Sequence, residues 1–358
     1  MIYHRSEDFE RVWRDLGRDL AVAFGTDGEV CILTASATGA MEAVIANLFS
    51  PGDRVLVPAG GKFSRRWVAI SEAYGLEAVP LALAPGKSPS AEAVAEAVRA
   101  DGGILGVLLV HCETSTGALT DLESVARAVH DLEKRQGRQV LVVGDCATSF
   151  LVDELRMDAW GLDAALGASQ KGLLAPPGLA FVALGARGRA RCLASRSPRY
   201  YFDLRKYLNG ERPPFTPAIS LVQAAAASLR SLLDLGLERV WRANRASADA
   251  LRMVVEAAGF TPVADHPSAG AVAFWVGRIE AEQLARRLAS DHGVVVAGGH
   301  DDLKGKVLRV SGIGKGPSEI RRFARALEAS LAALGARCNL ADIEARLDAR
   351  LEDARIWE

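Results

Sequence analysis

Aromatic residues are scarce in this chain, at 6% of 358 residues, and lysine is scarce among its 43 basic side chains, with only eight. Charge of one sign is also missing, because 44 acidic groups leave a formal net charge of -1. Without a basic excess there is no electrostatic footprint for nucleic acid or an anionic membrane surface, so a small-molecule partner is expected. The longest apolar runs, such as Ile104 to Val110 and Val140 to Val143, fall far short of the roughly 20 residues that span a bilayer. The opening MIYHRSEDFE has neither the order of a secretory signal nor the acid-poor character of a transit peptide, and the expected location is the cytoplasm. Five cysteines (Cys31, Cys112, Cys146, Cys192 and Cys338) are odd in number and contain no CxxC, which excludes an encoded disulfide framework or zinc cage. The six histidines show no HxH or HExxH spacing, and no metal site is expected.

What is present is core-forming material, 49% hydrophobic, in a chain long enough for about two domains at roughly 150 residues each. Short apolar runs alternate with amphipathic stretches, the rhythm of βαβ units, so the expected class is α/β with a largely parallel sheet. Strands are expected at 30–33, 55–58, 78–83, 104–110 and 140–143, and helices at 40–49, 68–74, 90–100 and 122–136. Residues 198–217 loosen into a polar, proline-bearing loop of the kind that is functional or interfacial. Helices follow at 218–235, closed by Gly236, and up to Ala258 with Gly259 as its stop. Beyond them, strands are expected at 271–276, 293–296 and 307–310, and helices at 281–290 and 318–334. The expected organisation is an N-terminal segment 1–20, a large domain 21–235, a small α+β domain 236–335 and a C-terminal helical extension 336–358. In that extension Asn339 is expected to cap a helix with Asp342 in its first turn. Its apolar stripe of Leu340, Ile343, Leu347 and Leu351 is expected to dock on the chain's own surface.

Three strand ends carry dense polar clusters: VLLVHCETSTG (107–117), VLVVGDCATS (140–149) and AALGASQKG (164–172). Ligands of open α/β sheets sit beyond the carboxyl ends of strands, so three such ends can converge on one site. Asp145 directly follows apolar strand residues and either caps a loop or faces a protonated ring nitrogen. Lys171, among small and apolar neighbours, is either a solvated surface amine or one suited to a Schiff base. The strand-to-helix segment Thr34 to Gly39, rich in small hydroxyl residues, reads as a plain cap or as a phosphate cradle. Arg309, alone in an apolar strand, is either a strand-edge salt bridge or a fork for a carboxylate.

In order and spacing, HCETSTG, GDCATS, GASQKGLLAPPG and KVLRVSGIG resemble the class V aminotransferases, specifically the alanine:glyoxylate, serine:pyruvate and aspartate aminotransferase group. The resemblance covers nearly the whole chain, from about Tyr3 to Leu334. It implies fold type I, pyridoxal 5'-phosphate as cofactor, and transfer of an amino group from a small amino acid (alanine, serine or aspartate) to a 2-oxo acid such as glyoxylate or pyruvate. It also implies roles. Lys171 would carry the cofactor aldehyde as a Schiff base, and Asp145 would keep the ring nitrogen protonated. Ser36, Ala37 and Thr38 would meet the phosphate, with Gln170 nearby. Phe63 would stack on one ring face and Ala147 on the other, and Thr114 would bond near the ring hydroxyl. Thr216 would reach the phosphate of a neighbouring subunit in a homodimer, and Arg309 would hold the substrate carboxylate. Arg65, Arg66 and Arg199 are candidate second cations for an acidic substrate. The chain departs from the family in starting almost at its YHR segment and in carrying Pro213 and Pro214 where some relatives place a phosphate-binding tyrosine. A lyase or cysteine desulfurase on the same fold is the alternative, and Gln170 before Lys171, where such relatives have histidine, speaks against it.

Overall fold

A computed structural model describes residues 2–277, 279–336, 338, 340 and 343–358. In chain order its first half comprises α1 (Glu7–Phe24), β1 (Glu29–Thr34), α2 (Ala37–Leu48), β2 (Arg54–Ala59), α3 (Lys62–Ala73), β3 (Glu77–Ala82), α4 (Ala91–Ala100), β4 (Ile104–Val110), a hairpin of β5 (Cys112–Glu113) and β6 (Ala118–Leu119), α5 (Leu122–Gln136) and β7 (Leu141–Asp145). There follow α6 (Met157–Trp160), β8 (Ala164–Ala168), β9 (Leu179–Leu184), α7 (Ala186–Ala194), α8 (Ile219–Leu235) and α9 (Leu237–Ala257). The remainder holds β10 (Thr261–Pro262), β11 (Val272–Trp275), α10 (Ala281–His292), β12 (Ala297–Gly298), β13 (Val307–Val310), α11 (Pro317–Ala333) and α12 (Ile343–Arg350).

The central sheet runs β1-β9-β8-β7-β4-β2-β3. Strands β8, β7, β4, β2 and β3 are parallel, while β9 runs antiparallel to both β8 and β1. Alternate residues of its strands feed opposite cores, as the two-residue period of a strand requires. Val107 and Leu109 of β4 join the core under α1, α4, α5 and α8, whereas Leu108 and Val110 join the core under α2, α3 and α7. Each fully buried Val, Leu or Phe contributes about 1.5–3 kcal/mol, which makes this double-sided sheet the rigid platform of the molecule. After β2 the chain moves outward to β3 and then returns to the other side of β2 with β4. That reversal opens a crevice at the carboxyl ends of β2 and β4, where open sheets bind ligands.

A second sheet, β10-β11-β13-β12, is antiparallel and packs on α9, α10 and α11. The β5–β6 hairpin joins the two sheets. The Ser268 N–H donates to the Gly117 carbonyl at 2.9 Å and the Leu119 N–H to that of His266 at 2.7 Å. Gly117 has a φ of +79°, and a Cβ there would lie 2.7 Å from the Ala271 oxygen, so both the turn and the close approach need glycine.

The structure corrects several expectations. Helix α2 begins at Ala37 instead of Ala40, and α3 at Lys62 instead of Val68. Residues 293–296 form no strand: Gly293 ends α10 in the left-handed region, Val295 is exposed, and the short strand is Ala297–Gly298. Helix α1, unforeseen, runs unbroken through residue 20 and buries Phe9, Trp13, Leu16 and Leu20 along one face. The Asn339 cap and Asp342 lie outside the described residues. Leu340, Ile343, Leu347 and Leu351 are all buried in the core of the small sheet, so this stripe docks on its own chain.

Candidate active site

Three polar strand ends meet at the carboxyl edge of the central sheet. Asp145 closes β7 between Val110 of β4 and Leu166 of β8. Its carboxylate is buried and, among the described residues, forms no ion pair; Oδ1 accepts the Ala147 N–H at 3.0 Å. Burial pushes its pKa up from 3.8 to about 6; the Ala147 N–H pulls it down, the Glu113 charge pushes it up, and Arg66 pulls it down. An acid in that condition gains from any cationic donor brought to it.

Lys171 follows β8 on a loop braced from inside. The buried Ser169 hydroxyl donates to the Pro176 carbonyl at 2.7 Å and accepts the Leu179 N–H at 3.3 Å. A Cβ on Gly172 would stand 2.2 Å from the Phe150 oxygen, so the loop lies directly on the backbone behind it. Held in this way, Lys171 lines a cleft of about 960 Å3 together with Phe63, Thr114, Gln170, His300 and Arg309. The cleft lies between the large sheet's carboxyl edge and strands β12 and β13 of the small sheet.

Arg309 reaches that cleft from β13. Its guanidinium donates to the Gly298 carbonyl at 2.9 Å, the Thr114 carbonyl at 3.0 Å and His300 Nε2 at 2.9 Å. Arginine can only donate, so His300 Nε2 accepts and the ring is neutral with its proton on Nδ1. Burial, then the charges of Arg309 and Lys62, hold the His300 pKa below its usual value. Among the described residues no carboxylate pairs with Arg309, which excludes the strand-edge salt bridge there and leaves a fixed cation facing the cleft.

Phe63 stands in the first turn of α3, and a residue that sequence reasoning passed over sets its position. Glu113, buried in the hairpin, accepts the N–H groups of Phe63 at 3.1 Å and Ser64 at 2.9 Å and the Ser115 hydroxyl at 2.6 Å. A carboxylate at a helix N-terminus satisfies the open N–H groups and the positive dipole end together. Gly61 is required, because a Cβ would lie 2.3 Å from Glu113 Cδ. The contact spans about fifty residues of sequence, with no local signal; His300, from the short segment before β13, was likewise missed.

Ser36 is the N-cap of α2 with its hydroxyl making no capping bond, and Ala37 and Thr38 open that helix. Thr38 is tied to α3, because Arg66 Nη1 donates to its Oγ1 at 3.0 Å. Ala147 is half-buried beyond Asp145, and Gln170 is exposed at the cleft. Thr216 is exposed and does not line the cleft of its own chain. Of the candidate second cations, Arg65 pairs with Asp301 at 3.5 Å, and Arg199 pairs with Asp203 at 3.5 Å away from the cleft.

The family model described as Aminotransferase class-V matches residues 1–313. A protein of a Synechococcus species named soluble hydrogenase, small subunit, is 36% identical over 93% of this chain and 88% of its own. An L-aspartate--glyoxylate aminotransferase of Paracoccus denitrificans is 32% identical over 87% of this chain and 81% of its own. The crystal structure of a subgroup IV aspartate aminotransferase from Thermus thermophilus superposes with a TM-score of 0.85 and 40% identity, covering 92% of this chain and 94% of that one. Cysteine desulfurases match at 17% identity and TM-scores of 0.72–0.73, a likeness of fold alone. This chain belongs to the class-V aminotransferase family and is a pyridoxal-phosphate-dependent aminotransferase of fold type I.

Proposed function

We propose that the protein moves the amino group of a small amino acid, alanine, serine or aspartate, to a 2-oxo acid such as glyoxylate or pyruvate. The observation that carries the reading is the convergence of Lys171, Arg309, Phe63 and Thr114 on one cleft; the buried Asp145 does not line it but ends β7 next to Leu166 of β8, the strand that leads to Lys171. Relatives named aspartate--glyoxylate and serine--glyoxylate aminotransferase support the donor and acceptor classes.

The residues fit a phosphorylated pyridine aldehyde. A buried carboxylate that makes no salt bridge among the described residues suits a protonated ring nitrogen, a half-buried amine suits the aldehyde, and Phe63 offers a flat apolar face. When bound, the cofactor supplies a cationic ring that draws electron density from the substrate Cα. Asp145 keeps that ring protonated. Lys171 Nζ would hold the aldehyde, and as a free amine would take the proton from the substrate Cα and hand it to the carbon that bore the aldehyde. Arg309, fixed by three acceptors, orients the substrate carboxylate so that the Cα–H bond is presented to Lys171. Glu113, by accepting the first N–H groups of α3, would hold Phe63 in place to stack on the ring. Ser36, Ala37, Thr38 and Gln170 take the phosphate, Thr114 the ring hydroxyl region, and Ala147 the second ring face. Residence in the cytoplasm and a homodimer belong to the same proposal; the exposure of Thr216 outside its own cleft supports its reaching a partner's phosphate. A division into segments 1–20, 21–235, 236–335 and 336–358 also belongs to the proposal.

The desulfurase alternative needs a reactive thiol at the cleft. Cys31, Cys112, Cys146 and Cys192 are buried with pKa values pushed up by burial, and Cys338, half-buried, packs against the small-sheet core away from the cleft. The test is a panel of alanine, serine and aspartate against glyoxylate, pyruvate and 2-oxoglutarate. Formation of both new oxo acid and new amino acid is expected. Alanine from cysteine, with sulfide released by an added thiol reductant and no oxo acid formed, would overturn the reading in favour of the desulfurase alternative.

A further inference from the structure

Arg66 differs from its neighbour Arg65 in joining no salt bridge among the described residues, although its charge pulls down the pKa of the buried Asp145. Arg65 pairs with Asp301, and both are exposed. Arg66 is half-buried and, among the described residues, belongs to no ion pair. It sits one helical turn after Phe63 on α3, so the two side chains share a face. Its guanidinium carbon stands 5.0 Å from the centre of the Phe63 ring, within range of a cation–π contact. Its Nη1 donates to Thr38 Oγ1 at 3.0 Å, across to the first turn of α2. One side chain thus joins the ring-stacking residue to the segment expected to hold the phosphate.

The direction of that hydrogen bond carries the argument. A guanidinium has donors only, so the Thr38 oxygen must accept from it, and the Thr38 hydrogen is left for another acceptor. A hydroxyl polarised by a cation is a stronger donor than a free one. Beside it, the first N–H groups of α2 are open and the Ser36 hydroxyl makes no capping bond. A doubly charged phosphate is the acceptor that answers such a set, and Arg66 brings positive charge within one side chain of it.

We propose that Arg66 is a positioning residue for the phosphate end of the cofactor, fixing the Thr38 hydroxyl as a phosphate donor while bracing Phe63. The proposal rests on the pyridoxal-phosphate reading above. It assigns Arg66 to the phosphate end of the cofactor instead of to the candidate second cations for an acidic substrate.

The test compares two ligands on the apoprotein, pyridoxal phosphate and pyridoxal, which differ only in the phosphate. Their dissociation constants are measured by absorbance and by quenching of protein fluorescence, with inorganic phosphate as competitor. Arg66→Gln is expected to weaken pyridoxal phosphate roughly tenfold to a hundredfold, the range of a charge-assisted hydrogen bond, and pyridoxal by less than about threefold. Inorganic phosphate is expected to compete less well on the variant. Thr38→Val in the Arg66→Gln background should add little, because the two side chains act as one unit. Arg66→Lys, which keeps the charge but loses the planar fork, should recover only part of the loss. Unchanged circular dichroism of the apo variants checks that they fold. Equal weakening of both ligands, or no weakening of pyridoxal phosphate in either variant, would overturn the proposal. Wild-type protein that binds neither ligand would overturn the cofactor reading itself, an outcome distinct from a loss confined to the variants.

Discussion

Replacing Asp145 by Asn should make the apoprotein more stable while disabling the site. The carboxyl is raised from 3.8 to about 6 in the folded chain, chiefly by burial. Between those two values the folded state binds more protons than the unfolded state. Stability therefore falls as pH rises through that window and stays low above it. At about 1.4 kcal/mol per tenfold change in proton affinity, the penalty of the ionised group reaches about 3 kcal/mol. Asn keeps an acceptor for the Ala147 N–H and carries no charge. Denaturant titration of the apo forms between pH 4 and 8 should show no difference at the acid end. A widening gap should follow, with the variant ahead by up to about 3 kcal/mol from about pH 7 upward. With cofactor bound the gap should close or reverse, because a protonated ring nitrogen relieves the wild-type charge and finds no counter-charge in Asn. A gap that does not grow with pH would refute the reasoning, and so would an apo wild type more stable than the variant at pH 8.

Other substitutions probe other links. Arg309→Gln should raise KM for amino acid and oxo acid together, by roughly a hundredfold for a lost two-point carboxylate contact, while leaving the bound cofactor's spectrum unchanged. Steady-state kinetics with both substrates check this. Gly61→Ala, whose Cβ meets Glu113 Cδ at 2.3 Å, should displace the start of α3. About 1–3 kcal/mol of stability should be lost with it, and cofactor binding weakened, by denaturation and by titration. Leu347→Ala, which empties a fully buried position of α12, should cost about 2–5 kcal/mol. That loss should not depend on protein concentration, because the stripe docks within its own chain.

The parts of the site that could be read from sequence are those whose chemistry is local. Asp145 after four apolar residues, Lys171 among small ones and Arg309 in an apolar strand each stand out against their neighbours, and the structure sets Lys171 and Arg309 on one cleft. Glu113 did not stand out, because its partners are the N–H groups of a helix about fifty residues earlier. His300 was missed for the same reason: its meaning comes from Arg309, and that contact exists only once β12 and β13 pair. The strand expected at 293–296 failed because an apolar run of β-branched residues outweighed Gly293, which ends α10 just before it. Helix α1 carried its apolar spacing openly, at Phe9, Trp13, Leu16 and Leu20. Helix α3 starts early because Glu113 supplies its cap, and no periodicity within the helix can announce a cap delivered from another element.

The central claim is that Lys171 is the amine that bonds the cofactor aldehyde. Borohydride reduction of the purified holoenzyme, followed by proteolysis and mass spectrometry, locates that bond directly. The expected result is a single pyridoxyl-phosphate mass increment on the peptide containing Lys171, absent from Lys171→Ala. An increment on any of the other seven lysines, or none on a reconstituted wild type, would contradict it.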